Sequence, residues 1–357
     1  MKKLKLVVSD FHLGRGRRLP NGALNLLEDF HFDHKFKELL EYYSTGPYED
    51  AEVELVFNGD MLNLIQTDYH GHFTVIITEH VSITKLKTII EGHPIFFKTL
   101  KEFLSHPKRV LTYIVGNHDQ EMVWRSTRAL FEEAVGKDVQ WKSSYYQIDG
   151  MHIEHGHQHE AANRVDPTRV FLGENLPEPI LNLPWGTLFT MQFLTKLKIQ
   201  RPYFDKVKPF KMVLWWSLFN DTWFAISAIS RLIVYFISTR FSKNRYRQSS
   251  LKTTLRLLSE ASVFPDLTDA ARRILRTPDI HTAIFGHTHV YKLVQIGDEK
   301  QYLNTGTWTD IVSLDLESFG RRSKLTYVRV DYENEKPLPL LRQWIGTIPT
   351  EDDAVGF

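Results

Sequence analysis

Five turns in this chain carry side chains that suit a divalent cation: Asp10-Phe11-His12, Asn58-Gly59-Asp60, Asn117-His118, His155 and His287-Thr288-His289. Each has a plainer use when taken alone. Asp10 could cap a helix, Asn58-Gly59-Asp60 could be a simple turn, and His155 or His287 could be solvated loop histidines. Their shared position argues for a common purpose. Each turn follows a short, apolar, β-rich run, at residues 4–9, 53–57, 110–115, 151–154 and 280–285. In α/β proteins, sites form at the carboxyl ends of strands. Carboxylate, imidazole and amide converging on one rim make a donor set for Mn, Fe or Zn rather than Ca, and manganese is the expected ion. The chain has no cysteine, which excludes disulfide scaffolds, zinc–thiolate sites, iron–sulfur clusters and thiol nucleophiles.

The elements that must position these turns alternate. Helical patterns over 24–43, 94–105 and 121–135 lie between the strand-like runs, and strand, polar turn and helix in repetition predict an α/β protein. Near the C-terminus, residues 291–296, 301–304 and 325–331 read as strands that complete a second sheet. The apolar run before Asp10 is shorter than the roughly 7–15 residues of a secretory signal core, so it is expected to be a buried strand. With no cysteine, the chain suits a cytoplasmic location.

The composition is that of an ordinary globular protein of 357 residues, 42% hydrophobic and 24% charged. The net charge of +1 hides an asymmetry. Residues 191–260 hold 13 Lys and Arg against three acidic residues, a local +10 that leaves −9 on the remainder. Such a segment points to an anionic partner: a phosphate-rich substrate, an anionic lipid surface or nucleic acid. The most apolar stretch, residues 212–237, lies within it among Trp215, Trp216 and Trp223, and Arg240, Lys243, Arg245 and Arg247 follow. Asn220, Asp221 and Arg231 interrupt it, which disfavours a membrane-spanning helix. Two readings stay open: a buried helical lid, or an amphipathic element that lies on a membrane or grips an acyl chain.

Asp-x-His, Gly-Asp, Gly-Asn-His-Asp, His-Gly and Gly-His-Thr-His, in this order, resemble the calcineurin-like metallophosphoesterases. The resemblance covers about residues 1–160 and 278–330. It implies a four-layer α/β/β/α sandwich, with the core expected over 1–160 and 278–345 and a large helical, apolar and basic insertion over 161–277. It also implies two divalent metal ions, one held by Asp10, His12, Asp60 and His289, the other by Asp60, Asn117, His155 and His287. Asp60 would bridge them, since ions roughly 3.5–4 Å apart need a shared anion. His118 matches the family's proton donor or phosphate-binding histidine, and Asp119 is expected to orient it or cap the turn. Beyond the His155 turn, among Glu160, Asn163 and Arg164, Arg164 is the expected phosphate contact because of its bidentate geometry. His157 and His159 are expected on a solvated rim, and residues 304–307 as a backbone turn beneath the site.

The opening Ser-Asp-Phe-His-Leu-Gly and the His-Gly turn are similar to UDP-2,3-diacylglucosamine hydrolases. That similarity implies cleavage of a pyrophosphate in a nucleotide–lipid by an enzyme peripheral to the inner membrane. Gly-Asn-His-Asp and His155-Gly156-His157 depart from that subgroup. A general phosphodiesterase, a metal-dependent nuclease and a non-catalytic scaffold are the alternatives. The nuclease is disfavoured because the basic residues alternate with long aliphatic runs, and the scaffold because every metal-type ligand is present.

Overall fold

The computed structural model describes residues 2–202, 207–208, 210–241, 266–313, 320–322 and 324–346. Lys243, Arg245 and Arg247, and with them much of the basic segment, lie outside these residues. From the N-terminus, β1 (Lys3–Val8), α1 (Asp33–Tyr42), β2 (Glu52–Asn58), α2 (Glu79–Gly92), α3 (Pro94–Leu104), β3 (Arg109–Ile114), α4 (Arg125–Val135) and β4 (Gln140–Lys142) form the first half. Next come β5 (Tyr145–Ile148), β6 (Met151–Glu154) and a short hairpin of β7 (Phe171–Leu172) and β8 (Ile180–Leu181). A helical segment follows: α5 (Trp185–Phe189), a π turn (Thr190–Leu194) and α6 (Thr195–Gln200). After β9 (Val207–Lys208) come α7 (Phe210–Asn220), α8 (Thr222–Arg240) and α9 (Thr268–Ile274). The chain closes with β10 (Thr282–Phe285), β11 (Lys292–Ile296), β12 (Lys300–Asn304), β13 (Ile311–Ser313), β14 (Gly320–Arg322), β15 (Leu325–Glu333) and β16 (Lys336–Trp344).

Two sheets stack face to face. The first has the order β16-β15-β1-β2-β3-β4, with β1 to β4 parallel. The second runs β11-β12-β10-β6-β5, with β10 parallel to both its neighbours. Side-chain alternation along a strand sends successive residues to opposite faces. Leu4, Leu6 and Val8 of β1, with Val53, Leu55 and Phe57 of β2, face α1, α3 and α4 through Phe36, Leu39, Phe96, Leu100 and Phe131. Val7, Val56 and Ile114 face the other way and meet Ile153, Ile284 and Leu303 of the second sheet. On the far side of that sheet, Ala270 and Ala271 of α9 cover Ala283, Phe285 and Tyr302. The layers are therefore α/β/β/α, with α5 to α8 inserted between β6 and β10.

Two expectations need correction. The strand over 325–331 does not finish the second sheet: β15 pairs antiparallel with β1, with Val7 opposite Val328. Its alternating pattern suits either sheet, and Leu325 and Tyr327 fill the helix-covered core of the first. The helix expected from residue 24 begins only at Asp33. Asn25 and Glu28 instead spend their side chains on backbone groups, Asn25 Nδ2 donating to Gly16 O and Glu28 Oε1 accepting from Gly14 N at 3.1 Å, a local alternative to helix.

Candidate metal centre

The ligand-bearing turns leave the carboxyl ends of β1, β2, β3, β6 and β10 and meet at one end of the stacked sheets. Parallel pairing continues past the strand ends and locks the first two turns together: Asp10 N donates to Gly59 O, and His12 N to Asp60 O at 3.0 Å. The third comes close because residue 116 is glycine, where a Cβ would lie 2.2 Å from Asp60 Oδ1. The turn at residues 304–307 backs the floor, with Thr307 Oγ1 donating to Asp10 O at 2.6 Å.

The backbone is strained at this rim. Asp10, His12, Asp60, His287 and His289 have φ between 53° and 69°. They are half of the ten non-glycine residues with positive φ among those described. Left-handed geometry costs on the order of 1–3 kcal/mol per residue, and it persists where the fold over-determines it.

Three overlapping groups place ligand atoms within 4.8 Å of one another: Asp10, His12 and His289; His12, Asp60 and His118; and Asp60, His155 and His287. His12 Nε2 lies 3.0 Å from His289 Nε2, and Asp10 Oδ1 lies 3.3 Å from His289 Nε2. His155 Nε2 lies 3.1 Å from Asn117 Oδ1 and 3.2 Å from Asp60 Oδ2. Donor atoms 3.0–3.3 Å apart subtend roughly 90–105° at a cation bound at about 2.1 Å, so the spacing fits octahedral or tetrahedral coordination. Asp10 Oδ1 is fully buried without a hydrogen bond and faces the ring nitrogens of His289 and His12, a buried charge that a cation would satisfy. The donors present fit a metal, and His12 and Asp60 each belong to two of the three groups.

The electrostatics agree. Burial would raise the Asp60 carboxyl, but the charged His155 beside it outweighs burial and holds it well below the usual range. Burial lowers the His155 imidazole, yet Asp60 and Asp10 drive it up to about 10. A proton on His155 thus occupies the place where the fold calls for positive charge. Its Nδ1 bonds Asn58 O at 2.9 Å, which orients Nε2 towards Asp60 and Asn117. Burial pushes His118 down to about 3, so its imidazole is neutral here.

Other expected residues are placed differently. Of its two expected roles Asp119 takes the turn cap and does not orient His118: its carboxylate accepts from Gly116 N, from Met61 N at 3.1 Å and from Tyr113 Oη at 2.7 Å. Burial and the nearby Asp60 raise it to about 7. The partner of His118 Nδ1 is Asn63 Oδ1, at 3.0 Å. Arg164 is exposed, and its Nε donates to Gln158 O at 2.8 Å. From that segment it is Glu160 that reaches the cluster, 2.8 Å from His287 Nε2. Burial would raise Glu160, but His287 and Asn163 bring it down to about 2. His157 is not solvated but buried beside the His155 and His287 rings, while His159 is part-exposed, stacks on Phe285 and reaches Glu154. Asn63 stands three residues after Asp60 and Glu160 five after His155. Those short offsets from ligand turns were the only signal available in the sequence.

No protein-family model matches the chain, and no curated protein matches it. Among solved structures, a single mutant of Vps29 from Entamoeba histolytica is 12% identical with a TM-score of 0.32, covering 96% of this chain and 93% of that one. A predicted phosphoesterase from Streptococcus pneumoniae is 9% identical with a TM-score of 0.31, covering 97% and 92%. A dimetal phosphatase from Danio rerio is 11% identical with a TM-score of 0.32, covering 94% and 98%. At these scores none of them bears on what this chain does, and the chemistry rests on the site itself.

Proposed function

We propose that this chain is a phosphohydrolase that uses two divalent ions, manganese first among them, to cleave a phosphodiester or pyrophosphate. One observation carries the reading: at the carboxyl ends of the strands, the Asp60 carboxylate lies in ligand-atom range of His12 on one side and of His155 and His287 on the other. Asp10, His12, Asp60 and His289 would hold one ion, and Asp60, Asn117, His155 and His287 the other. When bound, such ions supply Lewis acidity towards phosphoryl oxygens and bring the ionisation of water near neutral pH. The chain's own residues do the rest. Asn58 and the backbone of His118 hold the His155 ring and the Asp60 carboxylate in place, the latter through a 2.8 Å hydrogen bond to Oδ1. His118, held at Nδ1, leaves Nε2 free to accept the proton released by the attacking water and pass it to the departing oxygen.

The substrate we infer is amphiphilic, and the inserted helices support this. Phe219 is 77% and Trp223 83% exposed, with Ile226, Ile229, Ile233 and Ile237 also exposed along α8, and Arg231 and Arg240 on the same helix are open to solvent. Aromatic and aliphatic side chains beside arginines suit an acyl chain or an anionic membrane surface. No helix among the described residues is long and apolar enough to cross a membrane.

The test is hydrolysis with Mn²⁺, comparing UDP-2,3-diacylglucosamine with the same head group lacking acyl chains, and bis(p-nitrophenyl) phosphate as a general probe. Preference for the acylated compound supports the amphiphile. Equal rates on all three leave a general phosphodiesterase, and a chain that neither binds metal nor hydrolyses any of them is a scaffold.

A further inference from the structure

The inserted segment reaches His118 through a buried chain of hydrogen bonds. His118 Nδ1 lies 3.0 Å from Asn63 Oδ1, Asn63 Nδ2 donates to Gln66 Oε1 at 3.0 Å, and Lys198 Nζ donates to the same oxygen at 3.3 Å. On the other side of the amide, Gln66 Nε2 donates to Thr195 Oγ1 at 3.4 Å. Asn63, Gln66, Thr195 and Lys198 are all buried. Thr195 and Lys198 belong to α6, and Lys198 is anchored by Asp29 at 2.5 Å.

The polarity of this chain has one solution. An ammonium only donates, so the Gln66 oxygen faces Lys198. The Thr195 hydroxyl gives its proton to Thr190 O at 2.8 Å, so its oxygen accepts from Gln66 Nε2 and pins the same orientation independently. The Thr190 carbonyl stands at the start of the π turn, a form that recurs at functional sites. Asn63 must then donate to Gln66 and present its oxygen to His118. His118 Nδ1 therefore carries a hydrogen, and Nε2 is the nitrogen left free.

We propose that α6 is a positioning element of the site: Lys198 and Thr195, acting through Gln66 and Asn63, set the ring orientation and tautomer of His118. The proposal rests on the phosphohydrolase reading for its effect on rate, but not for its effect on the tautomer. Gln66→Met removes all three of the Gln66 hydrogen bonds, while Gln66→Glu keeps an acceptor for Lys198 and Asn63. With bis(p-nitrophenyl) phosphate and Mn²⁺, Gln66→Met should lower kcat about 10–100-fold at unchanged KM, and Gln66→Glu should restore it to within about threefold. In a His118→Ala background, Gln66→Met should change nothing further. Nitrogen-15 NMR of the zinc-loaded full chain at pH 8 should show His118 protonated at Nδ1. An Nε2-protonated ring in the unmutated chain overturns the proposal even if Gln66→Met does not fold. So does an equal loss from Gln66→Met with and without His118. If the unmutated chain hydrolyses nothing yet shows the Nδ1 tautomer, the phosphohydrolase reading fails and the relay stands.

Discussion

Replacing Gly116 by alanine would test how tightly the ligand turns are packed around Asp60. A Cβ there would lie 2.2 Å from Asp60 Oδ1 and 2.4 Å from the Asp60 backbone nitrogen, whereas non-bonded atoms settle near about 3.5 Å. Something must move by about 1 Å. The carboxylate has little freedom, since Oδ1 accepts from His118 N at 2.8 Å and Oδ2 faces His155 Nε2 at 3.2 Å. The backbone is tied to His12 N through Asp60 O at 3.0 Å. Overpacking of this kind costs about 1–3 kcal/mol, and a displacement of about 1 Å in a site lowers rate by roughly 100-fold. Because Asp60 would bridge the two proposed ions, affinity for both should fall together. Calorimetric titration with Mn²⁺ and thermal melts read the two effects separately. Gly136→Ala is the control: Gly136 ends α4 at φ 69°, and its Cβ would meet only the aliphatic stem of the Lys101 side chain, from Cγ to Cε. It should cost about 1–2 kcal/mol of stability and leave metal affinity unchanged. Unaltered Mn²⁺ affinity in Gly116→Ala would refute the packing argument.

Further outcomes follow from the same contacts. His118→Ala should retain bound metal, counted by elemental analysis, while turnover falls by about 10²–10⁴-fold, the usual worth of a general acid–base group; loss of metal would make His118 a ligand instead. His93 sits between Asp33, with Nδ1–Oδ1 at 3.0 Å, and Glu28, with Nε2–Oε2 at 3.4 Å. Burial lowers its imidazole, but the two carboxylates win and raise it to about 9, from 6.5 in the unfolded chain. That stabilisation is complete below pH 6.5 and fades as pH rises through 9. His93→Gln should therefore cost about 3 kcal/mol at pH 6 and much less at pH 10; melts showing the same deficit at both would contradict the assignment.

What could be read from the sequence was local. The five ligand turns each follow a short apolar run, and both features sit within a dozen contiguous residues. What could not be read was a choice made at a distance. β15 joins β1 rather than the second sheet because Leu325 and Tyr327 complete the core under α1, which its alternating pattern alone does not specify. Residues 24–32 have helical spacing, yet Asn25 and Glu28 bond the loop that follows His12. Asp119 adjoins His118 in the chain, but the turn aims its carboxylate back at Gly116 N and Tyr113. The residues that do touch His118 and His287 come from elsewhere, Asn63 from the turn after β2 and Glu160 from beyond β6.

The central claim is that Asp60 joins two metal sites into one centre. The direct measurement is metal stoichiometry: the purified full chain and Asp60→Ala, each equilibrated with Mn²⁺, dialysed and analysed for metal per chain. Two ions are expected in the unmutated chain, and both should be lost on removing the one carboxylate. No bound metal in the former, or two ions retained in the latter, would contradict it.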